Sequence, residues 1–151
     1  MRYYHGCAVL RNNIEGAEYP FDIVVVGGKS SINNEILAST EIYKSDLGKW
    51  ESGPDYLNTI YGIALVNYDS DTIFAFGGST TEGGGNIGAI SVLSKTNLAQ
   101  WEMVDNLYYP RSAHVAFAIP ESAVTCEGDE RMVFDNEMLE DEELIEEFEL
   151  Q

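Results

Sequence analysis

Short apolar runs alternate with polar, glycine-containing breaks along most of the chain. Ile23-Val-Val-Val26 stops at Gly27-Gly28, and Ile73-Phe-Ala-Phe76 stops at Gly77-Gly78. Runs of this kind, bounded by Gly, Asn, Asp and Ser, read as β-strands, and no helical period fits before residue 135. The pattern predicts units of four strands. The first strand of a unit covers 5–10, 62–67 and 113–119; the second covers 22–27 and 72–77. The third covers about 37–43 and 88–94, and the fourth surrounds a tryptophan, at 49–52 and 100–104. Asn67–Asp71 and Asp46–Gly48 carry the residues of tight turns.

The units repeat. Gly27-Gly28 recurs as Gly77-Gly78, and Trp50 recurs as Trp101. Lys44-Ser-Asp-Leu47 aligns with Lys95-Thr-Asn-Leu98 at the same spacing as the tryptophans. Ahead of the Gly-Gly strands, Arg2-Tyr-Tyr-His5 resembles Arg111-Ser-Ala-His114, with Tyr61-Gly-Ile-Ala64 in the intervening slot. A four-stranded sheet with two apolar faces must stack on a neighbour, and Trp50 and Trp101 are expected to fill the space between adjacent sheets. Gly-Gly removes side chains where backbones crowd and permits the sharp exit from the strand.

This constellation resembles the kelch motif of β-propellers, over about residues 2–120. The first unit matches through Ile23–Gly28, Glu41-Ile-Tyr43, Trp50 and Pro54. The second matches through Ile73–Gly78, Val92-Leu93, Trp101, Pro110, Arg111 and His114. It departs at Ser94, where the first unit has Tyr43, and at Tyr61 and Ala64, which stand for the Arg and His. The resemblance implies an all-β fold of antiparallel four-stranded propeller blades over residues 1–120, followed by an acidic tail over 121–151. Two units and the start of a third do not close a propeller, which takes about four to eight blades. The chain is therefore expected to be part of a larger propeller, to complete one by self-association, or to form a two-blade arc.

Charge narrows the partners. The net charge is −18, and residues 127–151 hold twelve of the 26 acidic residues against one base. Without a basic stripe, nucleic acid is not an expected partner. No apolar run approaches the roughly 18 residues that span a bilayer, and a signal-peptide core is absent, so a soluble, cytoplasmic chain is expected. Cys7 and Cys126 are too few for a disulfide framework or zinc site and read as buried free thiols. The tail from Asp135 could form a short helix with Met138, Leu144, Ile145 and Phe148 on one face, or stay unfolded until a partner binds.

Catalytic motifs are weak. Gly28-Lys29-Ser30 matches the end of a phosphate-binding loop, but Ile23 stands where the first glycine is required and strand fills the interval. His5 and His114 occupy one repeated position, which reads as scaffold and predicts hydrogen-bonded core histidines. Neither a cofactor nor a metal is expected, nor a catalytic residue. The expected function is a non-catalytic protein-interaction module; the rival readings are a propeller-based oxidase or isomerase and a degenerate fragment. By position in the resembling family, a protein partner would dock on loops leaving Gly-Gly and entering the Arg/His strands. Those residues are Lys29, Ser30, Asn33 and Asn34; Ser79, Thr80 and Thr81; Arg2 and Tyr3; Tyr61; and Arg111 and Ser112.

Overall fold

The structure, a computed structural model, describes residues 1–11, 21–81, 83, 85–95, 97–119 and 123. The chain divides into two compact units, Met1–Ala118 and Ile119–Gln151. The tail helix proposed from Asp135 and the state of Cys126 lie outside the described residues. The elements of regular structure among the described residues are all β-strands.

Ten strands follow in order: β1 Arg2–Tyr3, β2 Gly6–Arg11, β3 Phe21–Val26, β4 Lys29–Ser30, β5 Thr40–Lys44, β6 Lys49–Ser52, β7 Ala64–Asn67, β8 Thr72–Phe76, β9 Ala89–Ser94 and β10 Asn97–Asn106. They build two antiparallel four-stranded sheets, β2-β3-β5-β6 and β7-β8-β9-β10, and a two-residue ladder between β1 and β4. Tight turns join β5 to β6 and β7 to β8, which pair in space, whereas β3 pairs with β5 across a longer loop that carries β4. At one turn Leu47 N donates to Lys44 O at 3.2 Å; at another, Tyr68 N donates to Thr72 O at 3.0 Å and Asp71 N to its neighbour Asp69 Oδ1 at 2.8 Å.

Alternation sorts each strand's side chains onto two faces. In the first sheet the ladders Ala8↔Val24↔Ile42 and Gly6↔Val26↔Thr40 share a face, and most of these residues are buried. They meet the second sheet's Leu65, Ile73, Ala75, Leu93 and Trp101 in one apolar cluster. Gly6 makes the close approach possible, since a Cβ there would lie 2.1 Å from Leu65 Cδ1. Two buried polar pairs stitch the sheets: Trp101 Nε1 donates to Thr40 Oγ1 at 3.3 Å, and the Tyr56 and Ser91 hydroxyls lie 3.0 Å apart. Burying an aliphatic side chain contributes about 1.5–3 kcal/mol, so this cluster is the main stabilising element of the pair.

The paired glycines act as expected. Gly27 and Gly77 have φ of 61° and 58°, and a Cβ at either would lie 2.3 Å from a backbone carbonyl, that of Ile60 or Arg111. Those carbonyls accept from the next glycine's N–H, Gly28 N to Ile60 O at 2.7 Å and Gly78 N to Arg111 O at 2.8 Å.

Several expectations are corrected. Trp101 is buried between the sheets, but Trp50 is 53% exposed and leans on Tyr43, with ring centroids 5.4 Å apart, on the face turned away from the second sheet. Residues 113–119 form no strand, because no described segment pairs with them; Val115 and Phe117 are largely exposed. Cys7 is exposed rather than buried, on the face of β2 opposite the one that Gly6 and Ala8 turn to the core. His5 is exposed, and His114 is half-buried with neither ring nitrogen hydrogen-bonded, so neither is a hydrogen-bonded core histidine. The third strand begins at Thr40, later than the expected 37, and the fourth strand of the second sheet is longer than expected. That strand, β10, loses register against β9 twice, between Asn97 and Glu102 and between Met103 and Asp105.

The alignment of the intervening slot also shifts by one residue. Tyr4, Gly62 and Ala113 all hold left-handed backbone, with φ of 55°, 63° and 54°. They are hydrogen-bonded in series, Gly62 N to Tyr4 O and Ala113 N to Gly62 O, both at 2.8 Å. Tyr61 is thus the counterpart of Tyr3 and Ser112. The counterparts of Arg2/His5 and Arg111/His114 are Ile60 and Ile63, both buried.

Candidate partner-binding rim

The three left-handed residues bring the loops of both sheets to one edge. There β1 pairs with β4 through Arg2↔Ser30 and Tyr3↔Lys29, and the equivalent position makes an isolated bridge, Tyr61↔Ser79. Backbone pairing, set by the Gly-Gly exits, therefore places Tyr3 beside Lys29 and Tyr61 beside Ser79.

At the centre is an aromatic row. Tyr3 and Tyr4 rings lie 5.2 Å apart, and Tyr4 and Tyr61 lie 6.4 Å apart. Lys29 Nζ sits 4.2 Å from the centroid of the Tyr61 ring, a cation–π distance. Tyr3 Oη donates to Asn34 Oδ1 at 2.7 Å, and Tyr61 Oη donates to Thr81 O at 3.1 Å, so two of the rings are fixed in orientation. Tyr4 is the most exposed of the three, at 62%.

The loop after β4 holds itself in shape. Ser30 Oγ accepts from Ile32 N, Asn33 Oδ1 accepts from Glu35 N, and Asn33 Nδ2 donates to Glu35 Oε2 at 3.1 Å. Asn34 takes left-handed backbone at φ 59°, which asparagine tolerates better than most residues. Across the rim, Ser112 Oγ donates to Asn86 Oδ1 at 2.8 Å, and Thr80 N donates to Gly85 O at 3.2 Å.

The expected site residues divide into two groups. Lys29, Ser30, Asn33, Asn34, Tyr3, Tyr61, Thr80, Thr81 and Ser112 gather along this edge, with Arg111 exposed at its far end. Arg2 and Ser79 belong to the scaffold. Arg2 donates to Gly27 O at 2.9 Å and Ser39 O at 3.0 Å and pairs with Glu41 at 3.0 Å, with its side chain 12% exposed. Ser79 is buried and donates to Thr81 O at 3.1 Å. Sequence reasoning passed over Tyr4 and Asn86. The doubled Tyr3-Tyr4 was the available signal for Tyr4.

Below the rim the two histidines have depressed pKa values. Burial is the larger cause for each, and the nearby guanidinium, Arg2 for His5 and Arg111 for His114, adds to it; Glu41 works in the opposite direction on His5. Both side chains therefore favour the neutral form. Among the described residues no group of three or more His, Cys, Asp or Glu is placed to hold a metal ion. No helix among them is long and apolar enough to cross a membrane. No protein-family model matches the chain, and no curated protein matches it at a significant level.

Proposed function

We propose that the two sheets are kelch-type propeller blades and that the chain is a non-catalytic protein-interaction module which recognises a partner protein through this rim. The observation that carries the reading is the Tyr3–Tyr4–Tyr61 row flanked by Lys29. These are amphipathic rings, two of them anchored by hydrogen bonds, at an edge of polar loops. Tyrosines with few rotatable bonds lose little entropy on binding and dominate many interfaces, while a polar rim sets register. The blade assignment is supported by the shared strand order of the sheets, the repeated Gly-Gly geometry and the repeated left-handed residue.

The test places a photo-crosslinking phenylalanine analogue at Tyr4 and, as a control, at Tyr68 on a sheet face. Protein adducts are expected from position 4 and not from 68, and Tyr4→Ala combined with Lys29→Ala should weaken capture of the adducted protein at least about tenfold. Equal adducts from both positions, or capture undiminished in the double variant, would refute the rim as the binding surface.

A further inference from the structure

The segment after Ala113 is the third copy of a strand whose first two copies are paired. After the left-handed residues Tyr4 and Gly62 the chain enters β2 and β7, which pair with β3 and β8. After Ala113, no described segment pairs with residues 114–118. They nonetheless alternate as a strand does: His114 and Ala116 are half-buried, whereas Val115 and Phe117 are 85% and 74% exposed.

Two hollows adjoin this free edge. Phe74, Phe76, Ile90 and Val104 of the second sheet and Phe117 and Ala118 of the segment line one of about 560 Å³. Arg111 and His114 border the other, of about 300 Å³. Among the described residues the Arg111 side chain donates only to Tyr109 O, at 3.3 Å, and no carboxylate pairs with it. Both ring nitrogens of His114 are shielded from solvent and lack a hydrogen-bond partner, a state that native structures rarely leave unmatched.

The first sheet shows what fills the same place one unit earlier. With Gly27-Gly28 set on Gly77-Gly78, Val24 and Val26 correspond to Phe74 and Phe76. Onto Val24 and Val26 the chain packs Ile73 and Ala75 of β8, the strand paired with β7. Since Gly62 corresponds to Ala113, β7 is the counterpart of residues 115–118. What covers the Val24 face is thus a pair of strands, and beside Phe74 and Phe76 only the first of the pair is present among the described residues. Arg2, the counterpart of Arg111, likewise donates to Gly27 O and Ser39 O and pairs with Glu41, groups at the ends of β3 and β5.

We propose that residues 114–118 and the larger hollow take one extended strand of a partner protein, running antiparallel to the segment with its C-terminal end at Arg111. In the register of β7 and β8, where Ala64 pairs with Phe76 and Val66 with Phe74, donor residues stand opposite Val115 and Phe117. The donor residues in the places of Ile73 and Ala75 turn into the hollow and are apolar. Two small residues follow, as Gly77-Gly78 follow β8, and a chain-terminal carboxylate there meets Arg111 as Glu41 meets Arg2. Main-chain hydrogen bonds supply affinity and the hollow selects side chains. A folded second copy does not supply this strand, because its β3 and β8 are already paired on both sides. The slot uses the segment's edge and not the tyrosine row, so it stands or falls apart from the rim.

The probe is the peptide Asp-Thr-Ile-Phe-Ala-Phe-Gly-Gly, the sequence of residues 71–78, carrying N-terminal lysines and a fluorescent label. Titrated with the full chain and read by anisotropy, it should bind saturably at micromolar concentration, and its free acid about tenfold tighter than its amide. Arg111→Gln should erase that preference. Val104→Arg fills the hollow from a half-exposed position, and N-methylation of the peptide's first phenylalanine removes an amide that points to the segment in this register. Each should weaken binding more than about tenfold. Phe117→Glu repeats the block should Val104→Arg misfold, and Trp50→Ala, on the first sheet, should bind as wild type does. Absence of saturable binding up to roughly 1 mM, acid and amide bound alike, an N-methylated peptide bound as tightly as its parent, or Val104→Arg and Phe117→Glu both binding like wild type would each overturn the proposal.

Discussion

Trp50 and Trp101 hold the same place in two sheets of the same strand order, yet one is 53% and the other 2% exposed. The difference lies in what stands opposite. Trp101 has Thr40 as acceptor and Tyr56 packed edge-on at 5.4 Å, both supplied by the first sheet and its following loop. Trp50 has Tyr43 of its own sheet and open surface beyond it. A repeated residue therefore has no fixed energetic weight; its neighbour assigns it.

Truncation gives the sharpest test of that difference. Trp101→Ala should lower stability by about 3–5 kcal/mol, as expected for a large aromatic removed from a packed core. Trp50→Ala should cost under about 1 kcal/mol, as for a surface change. Denaturant unfolding of both variants would measure the gap, and equal losses would break the contrast.

The glycines should behave in the opposite way, alike in both sheets. Gly27→Ala and Gly77→Ala each force a Cβ toward a carbonyl oxygen from left-handed backbone, so each should cost roughly 2 kcal/mol or more. A large loss at one and none at the other would show that the two exits are not equivalent.

The smallest effect concerns acid. Burial, helped by the neighbouring guanidinium, holds the pKa values of His5 and His114 below the ordinary histidine value, so their neutral forms favour the fold. That contribution is present above the unfolded value and is lost as pH falls through the lower folded values. Unfolding midpoints should drop modestly between about pH 7 and pH 5, and His5→Gln with His114→Gln should flatten the drop. Ile63, the third counterpart, carries no such dependence.

Much of this architecture was legible because it is local. Tight turns, Gly-Gly exits and alternating runs each follow from a few adjacent residues, so β2, β3 and β5 to β9 fall close to their expected places, while the short β1–β4 ladder was not foreseen. What failed depended on neighbours. Trp50 and Cys7 read as buried because their types usually are, but burial requires a covering layer. Lys29 and Ser79 are repeat equivalents, yet Lys29 packs on the Tyr61 ring at the rim while Ser79 is enclosed. The one-residue slip at Tyr61 has a similar origin. Only Gly62 advertises its left-handed turn; Tyr4 and Ala113 adopt the same backbone without a glycine to signal it.

The register breaks in β10 carry one more consequence. A straight outer strand would offer a row of unpaired amides on which any extended chain could template. The two irregularities bend that edge, and at the far side of the first sheet β6 is only four residues long and carries Lys49 and Glu51. Short, charged or bulged edges resist strand addition. The molecule thus guards the β10 and β6 borders against fibril-like growth.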